Sequence, residues 1–271
     1  MINVRRGEAE AEEILESLGF DNLPIRPESV ANSINDDSFR LILEHKSFSS
    51  PNILGAAVGN SSGALVYINK NIIDHGRYNF TTAHEIGHVC MHIMSGVSSS
   101  FECGNNEFFN PHSNPLEKEA NGFASGLLMP KKLITPLTNG DINWENIHII
   151  AKKCGTSLEA TYRRLSMISR TPSALVIHRM GNFLRFVPSD NFYFYIENSP
   201  LSFDQKKLCV DVRNEQCYPS DFEESDPGEW VNPEYRGDTL NTIYSSSISL
   251  NDGFTYTLLT YDDDCLDEME S

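Results

Sequence analysis

Residues 84–88 read His-Glu-Ile-Gly-His. On an α-helix, positions i and i+4 share a face, so His84 and His88 can present two imidazoles to one ion. Glu85 follows His84 by about 100° of helix rotation, where a carboxylate can act as a base beside that ion. A catalytic zinc site needs a third protein ligand and an open fourth position. Glu117 is the candidate. It opens a second helical pattern, with Asn121 one turn further on the same face and Leu116, Ala120, Phe123, Leu127 and Leu128 on the packing side. Asn121 is placed to orient a ligating histidine through its other ring nitrogen.

The flanking pattern supplies the elements to position these groups. Residues 6–19 and 27–34 read as helices. FRLILEH (39–45), NILGAAVG (52–59) and GALVYINK (63–70) read as short strands, with GNSSG at 59–63 as a hairpin turn. Three strands in succession predict a small antiparallel sheet. The HExxH helix is expected over 77–94, followed by a polar loop over 95–114. Asn114 then serves as N-cap with Pro115 at the first helical position. Residues 143–153 and 157–168 predict two more helices spaced as a helix-turn-helix over 143–169, with Ser157 as N-cap.

RYNFTTAHEIGHVCMH followed by EKEANGFASGLLMP resembles the ImmA/IrrE-type metallopeptidases. The resemblance runs over about residues 23–170, and its two motifs agree in content and order. It implies a gluzincin-type, Zn2+-dependent endopeptidase. His84, His88 and Glu117 would bind the metal and Glu85 would be the catalytic base. It also implies the substrate class: a transcriptional repressor, often of helix-turn-helix type, whose cleavage switches on mobile-element, stress or defence genes. His92 matches the family's trailing histidine and is given a supporting role behind the ligands. Cys103, in the loop between the two motifs, is a candidate inhibitory zinc ligand that would hold the enzyme latent by filling the open position, as some defence-associated members are restrained. Tyr67, Tyr78 and His112 are candidate donors to the oxyanion. A substrate backbone is expected to add as a strand to the edge of the 39–70 sheet.

From 171 the chain is mostly β-like, and Thr171-Pro172 is the expected boundary between a peptidase domain, 1–170, and a sensor or regulatory domain, 171–271. The fold class expected is α+β: a zincin-like domain followed by an α+β domain, GAF- or PAS-like by analogy with the family, that receives an activating signal or ligand. Cys209 and Cys217 are candidate redox thiols within it.

Bulk properties narrow the alternatives. The 271 residues carry a net charge of −17, with −4 in residues 1–170 and −13 in the remainder. Such a surface repels phosphate and disfavours nucleic acid as a partner. The stretch 141–170 holds five basic and three acidic residues, a weak footprint for DNA. No run of 18 apolar residues exists for a membrane span. The amino terminus lacks the apolar core of a signal peptide, so a cytoplasmic location is expected. The six cysteines form no CxxC pair, and reduced thiols are expected. The competing reading is a DNA-binding or partner-binding regulator with a structural or vestigial metal site.

Overall fold

The computed structural model describes residues 2–104, 114–138, 140–196, 220–250 and 253–268. By backbone contact the chain divides into two compact units. One is Met1–Asn139 with His148–Thr161, the other Gly140–Ile147 with Tyr162–Ser271.

The first unit opens with α1 (Ile2–Ser17) and α2 (Pro27–Ile34). Its sheet is built from β1 (Arg40–Lys46), β2 (Ile53–Asn60), β3 (Gly63–Asn69) and β4 (Ser100–Gly104), in the order β1-β3-β2-β4. The sheet is mixed, which corrects the expectation of a purely antiparallel one. β2 and β3 form the predicted hairpin, closing on the Asn60–Gly63 pair across a two-residue turn. β1, however, lies parallel to β3 on its far side. Only the Ser61-Ser62 link is short enough to enforce a hairpin. The connection from β1 to β3 contains the whole of β2, which is the room a parallel pairing needs. Leu41, Ala57, Ala64, Val66 and Ile68 are buried along the strands, while Ile42, Glu44 and Val58 are exposed. That alternation is the period-2 signal of a sheet with one covered face.

A second difference lies in the loop expected over 95–114. Its Ser100–Gly104 segment is a strand, antiparallel to β2. The ladder carries a bulge: Ile53 pairs with Gly104 and Gly55 with Cys103, leaving Leu54 extra. One edge of the 39–70 sheet, that of β2, is therefore occupied by β4.

The HExxH helix, α3 (His75–His88), begins at Asp74, whose side chain accepts from the Arg77 amide at 2.7 Å. It continues as one π-helical turn, Val89–Ile93, rather than as α-helix to residue 94. Helix α4 (Pro115–Leu128) starts as its sequence predicts. The Asn114 side chain accepts from the Leu116 amide at 3.0 Å, and Pro115 occupies the first turn, where its missing N–H is no loss. Ala120, Phe123, Ala124, Leu127 and Leu128 are fully buried on its packing face. A short helix, α5 (Lys131–Ile134), follows.

Helices α6 (Trp144–Cys154) and α7 (Leu158–Ile168) are the predicted helix-turn-helix pair. Gly155, at φ +67°, makes the turn between them, and Ser157 Oγ accepts from the Ala160 amide as a cap. Both helices straddle the division between the units, whereas the sequence reading assigns them whole to the first.

The second unit carries β5 (Ser173–Arg179), β6 (Asn182–Pro188), β7 (Glu223–Ser225), β8 (Glu234–Tyr235), β9 (Asp238–Leu240), β10 (Ile243–Ser249), β11 (Phe254–Thr260) and β12 (Leu266–Glu268). Five of them form an antiparallel sheet in the order β6-β5-β11-β10-β7, and β12-β9-β8 form a smaller one. Phe192, Phe194 and Ile196 are buried with Trp230, Val231 and Tyr261, while Tyr193 and Tyr195 between them are exposed. Cys209 and Cys217 lie outside the described residues. Among the described residues no helix is long and apolar enough to cross a membrane.

Candidate metal centre

His84, His88, Cys103 and Glu117 converge on one point, each buried, with one ligand atom from each lying within 4.8 Å of all the others. Nε2 of His84 is 3.1 Å from Nε2 of His88, 3.2 Å from the Cys103 sulfur and 3.2 Å from Oε2 of Glu117. Nε2 of His88 is 3.4 Å from Oε1 of Glu117, and the Cys103 sulfur is 3.8 Å from Oε2. Tetrahedral zinc, with bonds of about 2.0–2.1 Å to N or O and about 2.3 Å to S, sets ligand separations of about 3.3–3.7 Å. The separations above come within a few tenths of an ångström of these, and two imidazoles, a carboxylate and a thiol are donors that could hold zinc.

The protonation pattern points the same way. Oδ1 of Asn121 accepts from Nδ1–H of His84 at 2.9 Å, leaving the Nε2 lone pair of that ring toward the cluster. Glu119 accepts from Nε2–H of His92 at 3.0 Å, so Nδ1 of a neutral His92 is an acceptor. It lies 3.0 Å from Nδ1 of His88, which must then be the donor. His88 too turns a lone pair inward. Two imidazole lone pairs and a carboxylate facing one another could hold a metal ion between them. His92 lies in the π-helical turn, its ring centroid 5.2 Å from that of His88 and the two rings tilted by 52°.

Burial pushes the His88 imidazole down to about 4, against the pull of Glu117, and burial lowers His92 as well. Both rings are therefore neutral near pH 7, the form in which imidazole binds a metal. Glu117 stands in the first turn of α4, a place that favours its anion.

Glu85 is fully buried beside the cluster. Its carboxylate packs against β2 at Gly55, where a Cβ would stand 2.5 Å from Oε1 and 2.8 Å from Cγ. Gly55 is also the partner of Cys103 in the β2–β4 ladder. Phe101, two residues before Cys103, stacks on the His88 ring at 3.9 Å and 17°.

Of the proposed oxyanion donors, neither tyrosine is drawn into the cluster. Tyr67 lies under Lys46, 4.8 Å from its Nζ, and lines a groove of about 640 Å3 with Phe48, Ala56 and Val58, to which none of the four clustered side chains contributes. Tyr78 hydrogen-bonds and stacks with His45. His112 lies outside the described residues. Sequence reasoning missed Gly55, Phe101 and Glu119. Of these, Gly55 left a trace, because a glycine inside a strand pattern marks a close approach.

A small sheet, a helix with paired histidines and a second helix with a carboxylate frame a buried group that could hold a metal ion. Residues 43–166 match the family model described as the IrrE N-terminal-like domain, a peptidase family, and this part of the chain is of ImmA/IrrE type. The chain is also similar in fold to a Mycobacterium tuberculosis transcriptional regulator, with a TM-score of 0.57 over 94% of this chain and 75% of that one, at 11% identity. No curated protein sequence matches it.

Proposed function

We propose that the chain is a zinc-dependent endopeptidase that cleaves a transcriptional repressor, of helix-turn-helix type, and so derepresses mobile-element, stress or defence genes. One observation carries the reading: the buried set His84, His88, Glu117 and Cys103, with Glu85 beside it. A purely structural site has no need of the added carboxylate.

In this reading His84, His88 and Glu117 hold the zinc, and Asn121 and His92 orient the two imidazoles. Zinc, when bound there, supplies Lewis acidity to the scissile carbonyl and acidity to water. Glu85 takes a proton from the attacking water and passes it to the leaving amine. Cys103 occupies the fourth position and keeps water out, so the enzyme is latent until β4 is withdrawn from β2. The second unit, as a GAF- or PAS-like sensor, receives the signal that does so. The protein works in the cytoplasm, where such repressors and reduced thiols are found.

The regulator reading, with DNA as ligand, is supported by the helix-turn-helix-like pair and by the fold likeness to a transcriptional regulator. Arg164 on the second of those helices is only 3% exposed, which withdraws one of its few cations from any phosphate.

The test is a comparison of protein termini in cells expressing Cys103→Ser with and without Glu85→Gln. New termini within a helix-turn-helix repressor, present only with Glu85 intact, are expected. Identical termini in both would contradict the peptidase reading.

A further inference from the structure

We propose that helix α1 is part of the metal centre: Arg6 and Glu119, acting through His92, are positioning residues that fix which nitrogen of His88 carries its proton. The inference rests on the metal-binding half of the function proposed above. It assigns a role to a helix that precedes the matched residues 43–166.

The contacts form one line. Arg6 Nη1 lies 3.0 Å from Oε1 of Glu119, and Oε2 of Glu119 lies 3.0 Å from Nε2 of His92. Nδ1 of His92 lies 3.0 Å from Nδ1 of His88, whose Nε2 faces Glu117 and His84. The Glu119 side chain is 6% exposed, so its partners are set by the fold and not by water. A buried carboxylate left without a cation is costly, and Arg6 is the cation this one has in the line.

The approach of α1 to α4 is built for this contact. A Cβ on Gly7 would collide with the main-chain carbonyl of Glu119 itself, and one on Gly122 with the carbonyl of Val4. Glycine at both places lets the two backbones touch, which brings Arg6 over Glu119.

The direction of the proton relay follows from acceptor chemistry. An ionised carboxylate only accepts, so Glu119 requires N–H at Nε2 of His92. Nδ1 of His92 must then accept from Nδ1–H of His88, which leaves Nε2 of His88 as a lone pair. An amide in place of Glu119 can turn its NH2 toward His92. Every donor in the line then reverses, and the proton of His88 moves to Nε2, inside the ligand cluster.

The experiment measures zinc affinity of the full chain by chelator competition for wild type, Glu119→Gln, Arg6→Ala and Arg6→Lys. Loss of an orienting partner of this kind typically weakens metal binding about 10- to 100-fold, and that is expected for Glu119→Gln. Arg6→Ala should weaken it about threefold to tenfold, with Arg6→Lys near wild type, because the salt bridge acts one step further from the ring. Two-bond 1H–15N spectra of the metal-free proteins read the tautomer directly. The Nδ1–H form of His88 should dominate in wild type, and a mixture should appear in Glu119→Gln. If Glu119→Gln fails to fold, Arg6→Ala carries the test, since that side chain is 68% exposed. Zinc affinity within twofold of wild type in the folded variants, with an unchanged His88 tautomer, would overturn the proposal while leaving the metal site intact. A folded wild type that binds no zinc would overturn both this proposal and the function it rests on.

Discussion

The Cys103 sulfur lies 3.2 Å from Nε2 of His84, inside the buried group that could hold a metal ion. Cys103 is fully buried, and the strand that carries it is short, polar and joined to β2 through a bulged ladder. On the proposed function, a thiolate in that place would close a zinc site and leave it inactive. Cys103→Ser should therefore raise basal proteolysis by about tenfold or more, since a weaker oxygen donor gives way to water. Cobalt-substituted wild type should show a thiolate charge-transfer band that the variant lacks. Unchanged proteolysis together with no such band in wild type would remove Cys103 from the account.

Glu85→Gln keeps the shape of the side chain and removes its basicity. The expected result is zinc content equal to wild type with cleavage reduced about 10²- to 10⁴-fold, the usual worth of a positioned base. The comparison belongs in the Cys103→Ser background, where turnover is measurable. Undiminished cleavage there would give the base role to another group.

Gly55→Ala tests the placement of that carboxylate. The added methyl would stand 2.5 Å from Oε1 of Glu85, so Glu85 or β2 must shift. Overpacking of this kind costs about 1–3 kcal/mol, seen as a lower Tm. Cleavage should fall with zinc content retained, because the three proposed metal ligands stand on α3 and α4. A variant as stable and active as wild type would show that the carboxylate does not work from this position.

The sequence carried the helices of the site well and the strands less well. His84, His88, Glu117 and Asn121 lie on regular helices, where spacing alone decides what shares a face. Asn114 and Pro115 announce the start of α4 by local chemistry. Strand pairing is non-local, and nothing in FRLILEH says that β1 will lie parallel to β3. SFECG carries one Phe and one Cys among polar residues and Gly, too little alternation to mark a strand, so its pairing with β2 comes from the tertiary structure. The contact between Arg6 and Glu119 spans 113 residues and had no local signature. The π-helical turn at Val89–Ile93 was equally silent, since its sequence is apolar like any buried helix.

Acid and chelation should act together. The folded-state His88 imidazole titrates near 4 against an ordinary value of 6.5, so between these values the unfolded chain binds more protons. The stability this contributes is present above pH 6.5 and is lost as pH falls toward 4. His92 shifts in the same direction. In the folded chain protons compete with metal for His88 only as pH falls through about 4, so zinc release should steepen there. At neutral pH, zinc at about 1,000 times its Kd adds about 4 kcal/mol, and EDTA should lower Tm accordingly. A Tm indifferent to EDTA in a protein shown to contain zinc would mean that the ion sits elsewhere.

The most direct measurement of the central claim is the metal content of purified wild type and Glu117→Ala by elemental analysis. The account predicts about one zinc per chain in wild type, held by the tetrahedral donor set, and a sharp loss in the variant, whose two histidines are left without their carboxylate. A well-folded wild type that takes up no zinc on reconstitution, or a variant that holds zinc as tightly, would contradict it.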